Sequence, residues 1–257
     1  MKKRILKLFF LFIIFLFVFV TFRRPAGKKY DIKVFKELKI SVLIEDFNNN
    51  LNKNYWNIID KGDNYNNELE YYRPENVNVK NGFLEIEAKK EDFNNHQYTS
   101  GSINTKDKFE FLYGKIIFKA KPAVGKGLIS AIWLLPADDS ALPEIDLIEV
   151  LGTQNNHTWT GMHYFDSNLI QQSKFITYPC NDGFSVYEMD WKKEEIKVYR
   201  DNKLIFETTN NVPDKKMYLI INLSVGGDWP GDPDDSSLPS SFFLDYVIII
   251  PEEIGVK

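Results

Sequence analysis

Apolar and polar side chains alternate along most of this chain, the pattern of strands half-buried on one face. It is clearest at 77–80 and 83–89, which flank Asn81-Gly82. That dipeptide suits a two-residue hairpin turn, because both residues tolerate positive φ. Alternation then turns Leu84, Ile86 and Ala88 inward and Glu85, Glu87 and Lys89 outward. Further strands are expected at 40–44, 109–121, 128–135, 144–151, 159–165, 184–191, 196–200, 204–208, 217–225 and 242–250. Asp46-Phe47 with Asn48 to Asn50 reads as a turn, and Asp201-Asn202 as the tip of a second hairpin. No ten-residue segment of the domain carries a capped 3.6-residue period, and strands do not alternate with helices. The expected fold is therefore all-β: an antiparallel sandwich or jelly roll with a concave face on which a chain-like ligand can lie.

The N-terminus breaks this pattern. Lys2, Lys3 and Arg4 precede an uncharged run from Leu8 to Phe22, and Arg23, Arg24, Lys28 and Lys29 follow it. The run is short for a spanning helix of about 20 residues and nearly long enough when counted from Ile5. Residues 1–29 are read as a signal peptide or an uncleaved membrane anchor, with residues 5–22 the anchoring stretch. Either fate places the rest outside the cytoplasm, secreted or membrane-anchored. Residues 30–39 form a polar linker, and 40–257 one domain.

Composition narrows the function. With 257 residues, 44% hydrophobic and 15% aromatic, the chain supports one sizeable core. A net charge of −4 argues against nucleic acid as partner. Cys180 is the only cysteine, which excludes an intrachain disulfide and a thiolate metal cluster. Phosphate-binding loops, zinc spacings, Ser/His/Asp motifs and internal repeats are absent. No large apolar face is evident, so a monomer is expected.

The chemistry concentrates in Glu144-Ile145-Asp146-Leu147-Ile148-Glu149, three carboxylates inside an apolar strand. In a regular strand Glu144 and Asp146 share a face and Glu149 points away. A β-bulge at Leu147 or Ile148 would restore the parity and gather all three. Two carboxyls roughly 5–5.5 Å apart suit a retaining glycosidase, one as nucleophile and one as acid/base. The third can hold their pKa values apart. A solvated acidic edge or a cation site accounts for the acids alone equally well.

Gly226-Gly227-Asp228-Trp229-Pro230-Gly231 suits a loop presenting an indole to a sugar face, although a lone Trp in such a place more often packs under its turn. Asn66-Asn67-Glu68-Leu69-Glu70-Tyr71-Tyr72 mixes amides, acids and phenols that fit sugar hydroxyls or an ordinary surface loop. Tyr98-Thr99-Ser100-Gly101 is similar, and His163, in an apolar strand, reads by default as structural.

Taken in order, Asn66-Asn67-Glu68, Tyr98-Thr99-Ser100-Gly101, Tyr113-Gly114, Ile132 to Pro136, Pro143 to Glu149, His163, Trp191, Asn222, Gly226 to Gly231 and Asp245-Tyr246-Val247 resemble glycoside hydrolase family 16, the laminarinase and licheninase group. The resemblance covers 41–250. It implies a concanavalin A-like β-jelly-roll sandwich with a concave substrate cleft. It implies retaining endo-hydrolysis of β-1,3 or mixed β-1,3/1,4 glucan, with Glu144 as nucleophile, Glu149 as acid/base and Asp146 assisting between them. Trp133 and Trp229 would line sugar subsites, and Asn66, Glu68, His163 and Asn222 would supply hydrogen bonds. No cofactor is implied for catalysis. A structural calcium, carried by many members, would fall on Asp46, the Gly82 backbone and Asp245. Where the family commonly has a Glu-x-Arg pair this chain has Ile117 and Lys119, so sugar recognition on that side is expected to differ. The alternatives are a non-catalytic β-glucan-binding protein, a transglycosylase or an exopolysaccharide depolymerase on the same scaffold.

Overall fold

Asn81 and Gly82 adopt φ of 56° and 78°, and Asp201 and Asn202 adopt 48° and 68°. Each pair closes a two-residue hairpin, with Lys80 opposite Phe83 and Arg200 opposite Lys203. Both turns thus form where local chemistry expects them. In the computed structural model, residues 42–252 are described, apart from 63, 155–156, 167, 169–170 and 180–182. The expectations for residues 1–39, the start of the first strand, and Cys180 lie outside the described residues.

The described strands are β1 (Leu43–Glu45), β2 (Asn57–Ile58), β3 (Glu70–Tyr72), β4 (Val77–Lys80), β5 (Phe83–Phe93), β6 (His96–Ser100), β7 (Ser102–Asn104), β8 (Glu110–Phe111) and β9 (Gly114–Lys121). They continue as β10 (Leu128–Pro136), β11 (Glu144–Leu151), β12 (His157–Phe165), β13 (Gln171–Pro179), β14 (Ser185–Lys192), β15 (Glu195–Arg200), β16 (Lys203–Thr208), β17 (Met217–Val225) and β18 (Ser240–Pro251). A ten-stranded sheet runs β16-β15-β14-β9-β18-β5-β6-β3, with β1 on β18 and β4 on β5. An eight-stranded sheet runs β13-β12-β11-β10-β17-β7-β2, with β8 on β17. All pairings are antiparallel except β3 with β6, which is parallel. The fold is the expected sandwich, with 40–257 forming one unit by itself. Among the described residues no helix is long and apolar enough to cross a membrane.

The core lies between the sheets. Leu84, Ile86 and Ala88 meet Ile132, Leu134, Leu147, Ile148, Leu219 and Ile221 there, all 0% exposed. Burial of this apolar surface is what drives the sheets together. The expected strand at 109–121 is broken: Tyr113 takes φ 60° and divides it into β8, on the eight-stranded sheet, and β9, on the other. Glu85 lies on the outer face as alternation requires but is nearly covered, with Lys80 Nζ at 2.6 Å and Ser241 Oγ at 2.9 Å. Strands β3 and β6, read from sequence as loop-like, knit one end of the ten-stranded sheet to the other sheet: Leu69 N donates to Val225 O and Ser100 Oγ to Leu223 O.

Candidate active site

The bulge forms at the predicted place. Against β10, Ile148 pairs with Ile132 and Asp146 with Trp133, which leaves Leu147 unmatched. Against β12, Asp146 pairs with Gly161 and Glu149 with Trp159. Leu147 and Ile148 both enter the core, and the displaced Leu147 carbonyl accepts a hydrogen bond from Thr160 Oγ1 at 2.9 Å. Thr160 thus satisfies a carbonyl that the ladder no longer pairs. The extra residue returns Glu149 to the face of Glu144 and Asp146.

On that face the three acids differ in proton affinity. Asp146, 1% exposed, is pushed far above the usual carboxylate range by burial and by the charges of Glu149 and Glu144. That shift favours its neutral form, and a hydrogen bond shared with Glu144 raises Asp146 and lowers Glu144. Burial also raises Glu144, but the hydrogen bond from Asp146 opposes the rise. Burial, then the charges of Glu144 and Glu68, push Glu149 up to about 8. His163 Nε2 stands 3.7 Å from Asp146 Oδ2 and 3.9 Å from Glu144 Oε1, and burial lowers its pKa, which favours neutral imidazole. Glu144, Asp146 and His163 offer donor atoms within 4.8 Å of one another, the spacing of a cation site.

Around the acids the face is aromatic. Trp133 and Trp159 lie over Ile129, Ala131 and Leu151, and Trp159 meets Trp229 edge-on with ring centroids 5.3 Å apart. Trp229 is 45% exposed, so its loop presents the ring instead of burying it. Two glycines make that loop possible. A Cβ on Gly226 (φ 70°) would lie 2.6 Å from Leu69 Cδ1, and one on Gly227 (φ 108°) 2.8 Å from the Asn66 carbonyl. The loop docks on the Asn66 turn through Asp228 N to Asn66 O and Asn67 Nδ2 to Asp228 Oδ1, both 2.9 Å.

Asn222, expected to meet sugar, is 7% exposed and its amide is engaged on both sides. Its Oδ1 accepts Trp133 Nε1 at 2.8 Å, and its Nδ2 donates to Tyr72 Oη and Ser224 Oγ. It orients the indole of Trp133. Glu68 is half-buried, and its charge is one cause of the raised pKa of Glu149, which places it near that acid. Sequence reasoning passed over Trp159. Trp159 was findable, because Trp159, Gly161 and His163 share one strand face by parity and stand opposite Glu149, Asp146 and Glu144.

The departure at Ile117 and Lys119 lies elsewhere than expected. Both sit on β9 in the ten-stranded sheet, away from the acids' strand. Ile117 is buried, and Lys119 Nζ donates to Asp245 Oδ2 at 2.8 Å. Asp245 occupies an irregularity of β18 between Leu244 and Tyr246. Asp46 Oδ1 accepts the Asn48 amide at 3.3 Å, and the Asn48 side chain approaches Gly82. This set does not fit calcium as arranged, since the ion would need the carboxylate that already faces an ammonium.

The chain was then compared with known proteins. The family model "Glycosyl hydrolases family 16" matches residues 64–239. Glucan endo-1,3-beta-glucosidase A1 of Niallia circulans is 34% identical over 221 residues, covering 72% of this chain and 32% of that protein. Beta-glucanase of Rhodothermus marinus is 31% identical over 210 residues, 71% of this chain and 73% of the relative. The crystal structure of LamAcat from Zobellia galactanivorans superposes with a TM-score of 0.75 at 31% identity, covering 84% of this chain and 99% of that one. The chain spans about a third (32%) of the length of the Niallia relative, so the likeness there concerns one part of a longer protein. A match over most of the jelly roll, with the acid strand inside it, shows that this chain belongs to glycosyl hydrolases family 16.

Proposed function

We propose that the chain is an endo-acting β-glucanase that cuts β-1,3 or mixed β-1,3/1,4 linkages with retention. The observation that carries this reading is the bulged strand, which sets Glu144, Asp146 and Glu149 on one face of the cleft, where burial and the charge of Glu144 push Glu149 up to about 8. In the first step Glu144 attacks the anomeric carbon, the glycosidic C–O bond breaks, and the leaving oxygen takes the Glu149 proton. Ester formation removes the charge of Glu144, which was one cause of the high pKa of Glu149. Glu149 is then a carboxylate of lower proton affinity, suited to its second task. It takes a proton from water as that water displaces Glu144 from the sugar. Asp146 stabilises Glu144 as attacking group and again as leaving group. As a family member the protein needs no cofactor for this chemistry.

Trp133, Trp159 and Trp229 offer ring faces to pyranose units, with Asn66, Glu68 and His163 as polar contacts at the cleft. The names of the Niallia and Rhodothermus relatives, a glucan endo-1,3-beta-glucosidase and a beta-glucanase, support the substrate class. A polymeric substrate and the apolar run at 5–22 support export, as a secreted or membrane-anchored protein, and cell fractionation with N-terminal sequencing tests it. The Lys119–Asp245 ion pair supports a domain that is stable without calcium. A monomer is expected, and light scattering would check it.

The deciding experiment incubates the protein with laminarin, lichenan, mixed-linkage barley glucan and a succinoglycan-like exopolysaccharide, following reducing ends and product sizes. Rapid release of oligosaccharides from a glucan is expected. Binding without release would overturn the reading in favour of a glucan-binding scaffold. In Glu144→Ala, added azide should restore cleavage as an inverted glycosyl azide, and no rescue in a folded variant would overturn the covalent route.

A further inference from the structure

Thr160 is polar where the alternation of β12 calls for an apolar side chain. Thr158, Thr160 and Met162 turn toward the space between the sheets, at 0%, 1% and 1% exposure, while Trp159 and His163 share the cleft face with the acids. A hydroxyl buried in a core is costly unless it is hydrogen-bonded. Thr158 Oγ1 meets Tyr187 Oη on β14, across the core, at 3.3 Å. Thr160 Oγ1 instead donates to the Leu147 carbonyl on the neighbouring strand, at 2.9 Å.

That carbonyl belongs to the bulge. Between Asp146 opposite Gly161 and Glu149 opposite Trp159, two residues of β11, Leu147 and Ile148, face the single residue Thr160. Leu147 has no partner on β10 either. A ladder interrupted in this way leaves a carbonyl to be satisfied by a side chain, and Thr160 supplies the donor. Had β11 run on without the extra residue, Leu147 would stand opposite Thr160, Ile148 opposite Trp159 and Glu149 opposite Thr158, with Glu149 pointing into the core. The place of Glu149 on the cleft face thus depends on where the bulge sits. Glu144 and Asp146 do not share that dependence, since they precede the bulge and pair in register with His163 and Gly161.

We propose that Thr160 is a positioning residue for the acid/base: its hydroxyl pins the bulge at Leu147 and so holds Glu149 on the cleft face with Glu144. The inference rests on the assignment of Glu149 given above. Buried under the sheet, Thr160 touches no sugar. Releasing the pin should therefore impair proton donation and leave the nucleophile in place.

The test compares kcat/KM on laminarin, whose leaving oxygen needs a proton, with kcat/KM on an aryl laminaribioside whose good leaving group needs none. Thr160→Val keeps the shape and removes the donor, whereas Thr160→Ser keeps the donor and removes a methyl. General acid catalysis is worth about 10²–10⁴-fold, and Thr160→Val should lose at least about tenfold of it on laminarin while staying within about twofold of wild type on the aryl substrate. Thr160→Ser should keep the wild-type ratio between the two substrates. Equal losses on both substrates in Thr160→Val, or near-normal cleavage of laminarin by the folded variant, would overturn the proposal in favour of a purely structural role. Should Thr160→Val fail to fold, Thr160→Ala, which also lacks the donor, takes its place with the same expected split. Glu149→Gln checks the reading beneath. If that variant loses equally on both substrates, the assignment of Glu149 has failed and not the hold of Thr160 on the bulge, which crystal structures of Thr160→Val and Thr160→Ser then read. Glu149 displaced in the first and in place in the second would uphold that hold, and Glu149 in place in both would overturn it.

Discussion

The outer face of the ten-stranded sheet and the cleft treat acidic side chains in opposite ways. On the outer face, covered carboxylates meet ammonium groups: Glu85 faces Lys80, Glu188 faces Lys115 and Asp245 faces Lys119. In the cleft, acids meet acids: Glu144, Asp146 and Glu149 share one face of the bulged strand. An ammonium satisfies a carboxylate and fixes it as a static charge, and near the surface such pairs are worth only about 0–1 kcal/mol. A second carboxyl satisfies it only by retaining a proton. The first arrangement holds strands in place, while the second keeps protons at the cleft, where the proposed reaction would draw on them.

Breaking the acid-to-acid side should have the largest consequence. Glu144→Gln removes the proposed nucleophile, and kcat should fall at least about a thousandfold while calorimetry shows glucan still bound. Near-normal turnover would refute the assignment. Next comes Glu149→Gln, expected to lose roughly 10²–10⁴-fold on unactivated glucan. Its stability sharpens the contrast further. Glu149 and Glu70 sit at about 8 in the folded chain against 4.5 unfolded, so the folded state keeps protons that the unfolded state releases. Their stabilising contribution is intact below 4.5 and is lost as pH rises through 8. Scanning calorimetry should therefore show the wild type losing stability between pH 5 and 8.5, and Glu149→Gln losing less. Parallel losses would mean that Glu149 is not held protonated.

A smaller effect is expected at the aromatic wall. Trp229→Ala should raise KM about fivefold, in keeping with about 1 kcal/mol for an aromatic contact, with an unchanged melting temperature. A large drop in that temperature would restore the packing reading. Smallest of all is Lys119→Met on the outer face. Loss of one partly exposed pair should lower stability by no more than about 1 kcal/mol. The variant should then gain stability on adding calcium, whereas the wild type should ignore both calcium and chelator. A wild type that melts lower in chelator would show that the ammonium does not do the work of a divalent ion.

Part of this architecture is readable from the chain alone. The hairpins at Asn81-Gly82 and Asp201-Asn202 follow from turn chemistry confined to two residues, and the bulge at Leu147 from the parity of Glu144, Asp146 and Glu149. Strands β3, β6 and β13 escaped notice because Tyr98-Thr99-Ser100 and Gln171-Gln172-Ser173-Lys174 lack the apolar alternation that announces a strand. A strand whose sequence lacks that alternation carries no such signal.

The acid strand, its bulge and the jelly roll were thus determined by the sequence, since each depends on residues close together along it or on a repeated local pattern. Only the tertiary structure decided that Glu70 meets the Val225 amide, that Asn222 steadies Trp133, and that Lys119 answers Asp245. Those facts join positions 155 residues apart (Glu70 and Val225), 89 apart (Trp133 and Asn222) and 126 apart (Lys119 and Asp245). Proton affinity and hydrogen-bond partnership depend on burial and on neighbours in space, and those exist only once the sheets have closed on each other.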